Sequence, residues 1–349
     1  MRRWKYLLNL NYEPEVFVDD ITKITEEEWQ EHRRSGIGGS DVACIYRVSP
    51  WKTANELYHE KMGHQPVVEE ERNWVSLEIG HRLEELVVQI FMKKTGLKPY
   101  AVRKMFRHPL YPFMIGDIDF FVEKDGEIWV LECKTSFSFN KEEWANDSIP
   151  YHYMLQGMHY MSVTNVAGVI FLCLYGNSEN TFFIRTLTRD LELEEEMIEL
   201  ERDFWVNNVQ ADHEPEFYEE PDLVLEAIKK YRKIEPGKTI VLPGELEDVM
   251  KKYVQLDAKR AELESQARKV KEQIKEIYIP VQKALGQAEG GELNTGNIIY
   301  RVGYTKRVTT AINKAELEKL KLTYPDVYQE YAKTNVSNIF YIKKEEKPA

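Results

Sequence analysis

Cysteine is scarce in this chain. Cys44, Cys133 and Cys173 stand far apart, and no two of them form a CxxC pair. That excludes a disulfide-stapled scaffold, a zinc ribbon and a four-thiolate iron–sulfur site, and it suits a reducing compartment with three ordinary buried thiols. Long apolar runs are missing as well. The longest, Val166 to Tyr175, falls far short of the ~20 residues of a membrane-crossing helix. The opening Met1-Arg2-Arg3-Trp4-Lys5-Tyr6-Leu7-Leu8 imitates a signal peptide, but its apolar part stops at Asn9 and no small-residue cleavage site follows. A cytoplasmic protein without membrane contact is expected. There is no Gly-Lys-Ser/Thr, hence no P-loop, and no internal repeat.

Positive charge is not in excess either. The net charge of −12 argues at first sight against nucleic acid. Residues 1–215 carry 23 Lys and Arg against 37 Asp and Glu, whereas residues 216–349 carry 24 against 22. Salt screens charges beyond roughly 8 Å, so an acidic half can still hold DNA through a local basic lining.

What is present is an ordinary globular composition, 43% hydrophobic and 30% charged, in 349 residues, enough for one large core and a smaller module. The acidic, proline-punctuated stretch from His213 to Asp222 predicts a border between a domain of residues 1–215 and an extension of residues 216–349. Before it the order reads helix, helix, strand, strand, helix, strand, strand, helix, a mixed α/β pattern. Thr25 with Glu28 signals a capping box, and Ser76 to Thr95 reads as a helix closed by Gly96. Strands are expected over 113–122 and 128–134, joined at Asp125-Gly126. Pro150 starts a helix to about Ser162, strands follow over 166–174 and 182–187, and Asp190 caps a helix reaching Val209. In the extension, Leu246, Val249, Tyr253, Leu256, Arg260, Leu263, Ala267, Val270, Ile274 and Ile277 alternate in steps of three and four. That is a heptad seam on one long helix, about 244–279, ended by Pro280 and Gly286. A small α/β end follows, with strands at 298–309 and 339–343 around a helix at 314–321.

Chemistry concentrates on the first hairpin. Alternation puts Ile128, Val130, Glu132 and Lys134 on one strand face and Trp129, Leu131 and Cys133 on the other. On the preceding strand Asp117, Asp119 and Phe121 share a face, and pairing through the turn brings Asp119 beside Glu132. Two carboxylates and an ammonium then converge, a donor set of the kind that magnesium and a phosphodiester require. A surface ion pair at a strand edge has the same pattern. An apolar strand on both sides of the motif argues against it, because charges rarely sit at a buried sheet edge without a role. Glu84 falls in line with Val87, Val88 and Phe91, so it is either a further ligand beside the core or a boundary acid paired with His81 or Arg82. Arg33 to Asp41 is basic and glycine-rich and ends in a helix-starting Ser-Asp, which fits a phosphate site as well as a plain loop and cap. Gln156 lies on one side of its helix with Tyr160, either holding a water or phosphate oxygen or facing solvent.

Taken in order, these motifs resemble the YqaJ-like viral recombinase family, the group of the λ-type exonucleases. Trp29 and Arg33 precede Gly36-Ile37-Gly38-Gly39-Ser40-Asp41. Gly80 with Glu84, Asp119, Glu132-Cys133-Lys134, and Ile149-Pro150 with Tyr153 and Gln156 follow. The resemblance covers roughly half of the chain, from about Trp29 to Trp205. It implies an α/β fold of the PD-(D/E)XK nuclease type, a mixed sheet flanked by helices. It implies that Asp119 and Glu132 bind Mg²⁺, which Mn²⁺ replaces, with Glu84 as an additional ligand. Lys134 orients or activates the water, Gln156 lines the site, and Arg33, Ser40 and Tyr153 hold phosphate at a DNA end. One departure is that no proline precedes the aspartate of Gly116-Asp117-Ile118-Asp119, which leaves Asp117 and Asp119 both open as the ligand. The implied activity is 5′→3′ exonuclease on double-stranded DNA ends, in recombination with a single-strand annealing protein. An endonuclease with the same site, or a silent DNA-binding scaffold, are the alternatives. The extension could grip DNA, join copies of the chain into a homo-oligomer, recruit the annealing protein, or pack on itself as a helical hairpin.

Overall fold

Asp125 and Gly126, both with positive φ (57° and 83°), form the two-residue turn around which the first unit is built. This turn type matches the right-handed twist of the strands it joins. It links β3 (Ile115–Lys124) to β4 (Glu127–Ser136). The computed structural model describes residues 10–67, 74–136, 141–295, 298–306 and 312–331. Ahead of the hairpin come β1 (Glu15–Val18), α1 (Glu26–Arg34), α2 (Val42–Ile45), α3 (Ala54–Lys61), α4 (Trp74–Thr95) and β2 (Tyr100–Arg107). After it come α5 (Tyr151–Thr164), β5 (Gly168–Tyr175), β6 (Phe182–Thr188), α6 (Leu191–Phe204), which continues as a π-helical turn to Gln210, and α7 (Pro221–Tyr231).

The six strands form one sheet in sequence order, antiparallel except between β4 and β5. That parallel pair needs a crossover, and α5 provides it. On one face Val87, Val88 and Phe91 of α4 pack with Trp129, Leu131, Leu172 and Leu174. On the other, Leu155, Met158 and Met161 of α5 pack with Val130, Val169 and Phe171. Both faces being covered, every residue of β5 is buried, which is why it reads as an unbroken apolar run rather than an alternation. The mixed α/β sheet flanked by helices is as expected. Two strands and two helices were not read from the sequence. β2 carries Arg103, Lys104 and Arg107, whose charge hides its pattern. α3 opens with Thr53 and Glu56 in the same reciprocal capping box as Thr25 and Glu28.

Below the sheet a charged pair is sealed in. His159 of α5 and Glu201 of α6 are both fully buried, with Nδ1 at 2.9 Å from Oε1 and the imidazole Nε2 donating to the Ile115 carbonyl at 2.8 Å. Burial alone lowers the His159 pKa, but the Glu201 carboxylate outweighs it and the imidazole ends above its ordinary value. The pair ties α5, α6 and β3 together directly behind the hairpin.

The chain divides into compact units of residues 1–236 and 237–349, so the expected border at 215/216 lies inside the first. The reason is α7, which docks on α3. Lys230 Nζ lies 3.1 Å from Glu56, the Val67 amide donates to the Lys230 carbonyl at 2.7 Å, and Tyr231 stacks on His59 at 4.3 Å. In the second unit the heptad stretch forms α8 (Glu247–Leu285), followed by a hairpin of β7 (Gly290–Asn294) and β8 (Ile299–Gly303), then α9 (Lys314–Thr323) and α10 (Pro325–Tyr331). Pro280 does not end α8 but lies within it; its missing N–H removes a single rung, and Gly286 closes the helix. The strand expected over 339–343 lies outside the described residues.

Removing one partner of a sealed ion pair leaves the other charge uncompensated, at a cost of about 3–5 kcal/mol. Glu201→Ala should therefore lower the denaturant midpoint of the first unit by that order, and Glu201→Gln, which keeps a hydrogen-bond acceptor for His159, by clearly less. Equal midpoints for wild type and Glu201→Ala would show that the pair contributes no net stability.

Candidate active site

The β3–β4 ladder runs from Lys124↔Glu127 to Phe120↔Leu131 and stops. The next residues on the two strands are Asp119 and Glu132, so the carboxylates stand where the strands part. β4 alternates as expected, with Val130 packed toward α5 and Trp129, Leu131 and Cys133 toward α4. β3 does not. Ile118 and Phe121 belong to the α5-side core while Phe120 and Val122 belong to the α4 side, so the alternation slips at Asp119. The neighbouring strand slips there too. Ala101 pairs with Phe120 and Lys104 with Ile118, which leaves Val102 and Arg103 opposite Asp119, with Arg103 at φ 54°. Bulges of this kind re-aim side chains next to functional sites.

Glu132 is buried and firmly held. Its Oε1 accepts from Lys134 Nζ at 2.7 Å and from Gln156 Nε2 at 2.9 Å, and Lys134 Nζ also donates to Gln156 Oε1 at 3.0 Å. The three side chains close a ring. Gln156 Nε2 donates further to the Tyr160 hydroxyl at 2.9 Å, and Lys134 Nζ lies 4.7 Å over the Tyr153 ring. Gln156 is thus an interior amide, only 6% exposed, not a solvent-facing one. Burial by itself pulls the Lys134 pKa down, yet Glu132 and Tyr153 raise it above the ordinary lysine value. The group is an ammonium.

Asp119 has the opposite character. It has no hydrogen-bond or ion-pair partner among the described residues, and burial, then Glu132, Glu84 and Asp117, push its pKa to about 8. Glu84 faces it across a cavity lined also by His81, Arg82, Glu85, Ala101 and Arg103. Burial raises the Glu84 pKa even though His81 Nδ1 lies 3.2 Å from its carboxylate. Glu84 therefore lines the cavity and is paired with His81. Asp117 is occupied elsewhere, its Oδ2 accepting from Trp29 Nε1 at 2.9 Å.

The Arg33–Asp41 loop lies against the same helix. A Cβ on Gly39 would meet the Tyr160 ring at 2.6 Å and Gln156 at 3.0 Å, and one on Gly38 would meet the Arg33 guanidinium at 2.3 Å. Close approach to the buried Tyr160 ring requires glycine at 39, whereas at 38 the neighbour is the far end of the flexible Arg33 side chain. Arg33 Nη2 lies 3.2 Å from Ser40 Oγ and 3.2 Å from Asp41 Oδ1. Asp41 is 1% exposed and also meets Lys61 at 2.6 Å and Lys52 at 3.6 Å. Burial would raise its pKa, but the three cations hold it well below the usual carboxylate range. Burial, together with Arg33 and Lys52, brings Lys61 down to about 8. Nothing in the sequence singled out Lys52 or Lys61, which come from the loop before α3 and from its last turn. The helix that Ser40-Asp41 starts is a single turn, and its Gly38 amide is already bonded to Asp41 at 2.9 Å. The anion-holding capacity of this loop is in its cations, not in a helix end.

Among the described residues no three carboxylates or imidazoles close into a preformed metal cage. Magnesium does not require one, since it is usually held by one or two carboxylates and keeps several waters. The donors here are hard oxygens, one of them an unpartnered carboxyl whose ionisation its neighbours oppose. That donor set fits a divalent cation.

A family model described as the YqaJ-like viral recombinase domain matches residues 28–167, a span that contains every site residue named above. An uncharacterised protein, YqaJ, of Bacillus subtilis (strain 168) is 30% identical over 325 residues, 93% of this chain and 96% of its own length. This chain belongs to the YqaJ-like viral recombinase family. The relationship to the Bacillus protein extends well into the second unit, beyond the span of the domain model. Among solved structures, an alkaline exonuclease from Laribacter hongkongensis matches with TM-score 0.44 and 18% identity, covering 53% of this family member and 93% of that chain. A phage-related exonuclease from Haemophilus somnus 129PT matches with TM-score 0.39 and 12% identity, covering 53% and 99%.

A carboxyl whose pKa is raised on folding stabilises the fold while protonated. The contribution is complete below the ordinary value near 3.8 and is lost as pH rises toward about 8. Without metal, Asp119→Asn should match wild type in Tm near pH 4 and exceed it increasingly up to pH 8. One pKa unit is about 1.4 kcal/mol and 1 kcal/mol moves the Tm of such a unit by roughly 2–4 °C, so the gap should reach at least several degrees. A gap that stays constant with pH would mean that Asp119 titrates normally.

Proposed function

We propose that this protein is a magnesium-dependent exonuclease on double-stranded DNA ends. The observation that carries the reading is the closed ring of Glu132, Lys134 and Gln156 with the unpartnered Asp119 at the point where β3 and β4 part. Asp119 and Glu132 would hold the cation, with Glu84 reaching it from the far wall of the cavity, while Asp117 keeps its Oδ2 on Trp29 Nε1 and its buried Oδ1 without a hydrogen-bond partner among the described residues. A divalent cation bound there supplies Lewis-acid stabilisation of the phosphate and a more acidic water; Mn²⁺ would serve as well. Gln156 and Lys134 both grip Oε1 of Glu132, which fixes the carboxylate and leaves Oε2 for a ligand. Lys134, kept as an ammonium, orients the attacking water and stabilises negative charge at the phosphate rather than acting as a base. Tyr153 holds Lys134 in place through its ring face, a different role from the phosphate contact expected of it.

Arg33 and Ser40 would receive the terminal 5′-phosphate. Two carboxylates, the buried Asp41 and the Glu60 bound to Lys52, among three cations leave one positive charge in excess beside the Gln156 end of the ring. Digestion from the 5′ end would leave a single-stranded 3′ tail, the substrate of a strand-annealing partner protein. Three free thiols fit a cytoplasmic setting, and no helix among the described residues is long and apolar enough to cross a membrane.

The decisive experiment incubates the full chain and Mg²⁺ with linear and closed-circular duplexes, each linear strand labelled at one end. Degradation of linear DNA alone, lost with a chelator, supports the proposal; equal cutting of circles would replace it with an endonuclease. Glu132→Gln should abolish cleavage without unfolding the protein. Lys134→Ala should cut turnover by about 10²–10³ while DNA affinity changes little, and comparable losses in both would reduce Lys134 to a structural ion pair.

End recognition has its own test. A charge-assisted hydrogen bond is worth roughly 1.5–3 kcal/mol, or about ten- to a hundred-fold. Wild type should prefer 5′-phosphorylated over 5′-hydroxyl ends by about that factor, and Arg33→Ala should erase the preference by slowing the phosphorylated substrate. Arg34, exposed and one residue on, is the control, and an equal effect there would remove Arg33 from the role.

A further inference from the structure

The long helix of the second unit carries an apolar stripe that no described residue covers. Along α8, Val249, Leu256, Leu263, Val270 and Ile277 are each more than half exposed, and Tyr253 and Ile274 about 40% exposed. No residue of the helix is buried. Helices owe most of their stability in water to burial of such a face, and a seam of this spacing is buried by a second helix of the same kind. We infer that α8 pairs with α8 of a second copy of this chain as a parallel, in-register coiled coil.

The charges flanking the seam choose this occupant and this direction. With Tyr253, Arg260, Ala267 and Ile274 at the first core position of each heptad and Leu256, Leu263, Val270 and Ile277 at the second, the flanking positions fall into two sets. One holds Lys252, Lys259, Gln266 and Gln273, and the other Asp257, Glu264, Lys271 and Tyr278. In a parallel pair each residue of the first set meets the residue five further on in the other copy. Lys252 then meets Asp257 and Lys259 meets Glu264, each twice by symmetry, and no like charges meet at these flanking positions; on the seam itself Arg260 faces Arg260 of the second copy. An antiparallel pair centred on the seam sets Asp257 against Glu264, and sliding it one heptad either way sets Lys259, Asp257 or Glu264 against its own copy; the antiparallel register nearest to full overlap of α8 that avoids this has a single complementary pair, Glu264 with Lys271, against two in the parallel pair.

The lysines are available for this. Lys251, Arg260 and Lys275 are paired within the helix, whereas Lys252 and Lys259 have no ion-pair partner among the described residues. Arg260, the one charge on the seam, is covered by its own chain, with Asp257 at 2.7 Å and Glu264 at 2.8 Å. A polar residue at a core position weakens a coiled coil but fixes its register and number of strands. Arg260 would do so here.

Light scattering of the full chain across concentrations should give twice the 41.2 kDa of one chain. Lys252→Glu with Lys259→Glu places like charges at all four contacts and should weaken the dimer at least ten-fold while DNA cleavage by the first unit and helix content stay as in wild type. Arg260→Leu should tighten it by a similar factor. Direction is read from Ile277→Cys, since in the parallel register the two cysteines face each other, whereas in an antiparallel pair they lie far apart, and oxidation should give a covalent dimer on a non-reducing gel. A monomer at every concentration overturns the inference, as does a dimer indifferent to the lysine reversals. A dimer in which Ile277→Cys fails to cross-link overturns the parallel register.

Discussion

A single carboxylate oxygen, Oε1 of Glu132, takes hydrogen bonds from an ammonium and an amide that are themselves bonded to each other. Burying a carboxylate this deeply is costly unless it is paired and hydrogen-bonded, and the sheet arranges both. β4 must run out of the core so that Glu132 and Lys134 follow the apolar Trp129–Leu131 segment on the correct face. The parallel neighbour β5 demands a crossover helix, and that helix delivers Gln156 to the third corner of the ring. The all-apolar β5 and the sealed His159–Glu201 pair behind it then fix how far α5 can move. The geometry of the site is therefore a consequence of how the sheet is closed.

Much of this was legible in the chain. The Asp125-Gly126 turn, the Thr25–Glu28 capping box and the helix from the mid-seventies to Thr95 follow from local rules, and Glu132 and Lys134 follow from alternation along one strand. Long-range placement was harder to read. A solvent-facing Gln156 and an interior one have the same helical spacing, and only the docking of α5 on the sheet separates them. The slip at Asp119 depends on a bulge in β2, a strand whose charged residues conceal it. Lys52 and Lys61 reach Asp41 through tertiary folding, without any signature in the intervening sequence. The acidic stretch near 215 has the composition of a border, yet it is a loop, because α7 returns to stack Tyr231 on His59.

The expected pairing of Asp117 and Asp119 on one face shows why strict periodicity fails where function concentrates. Regular alternation would give both carboxyls the same surroundings. The slip gives Asp117 a tryptophan donor and leaves Asp119 without one, at the end of the β3–β4 ladder and facing Glu84. An unpartnered acid beside two others is a local conflict that packing alone would not retain, and its elevated pKa records that conflict.

The two clusters along α5 are incomplete in opposite senses. Around Asp119 the carboxylates Glu84 and Glu132 outnumber Lys134, and the deficit is one of positive charge. Around Asp41 three cations, Arg33, Lys52 and Lys61, face two carboxylates, Asp41 and the Glu60 bound to Lys52, and the deficit is one of negative charge. Tyr160 joins the two, bonded to Gln156 on one side and packed against Gly39 on the other. A cation at the first cluster and a phosphate at the second would satisfy each, and a DNA end brought to a bound metal offers both at once. Each ligand would relieve the imbalance of its own cluster. That complementarity, more than any one residue, is the physical basis for reading the pair of clusters as a single DNA-end site.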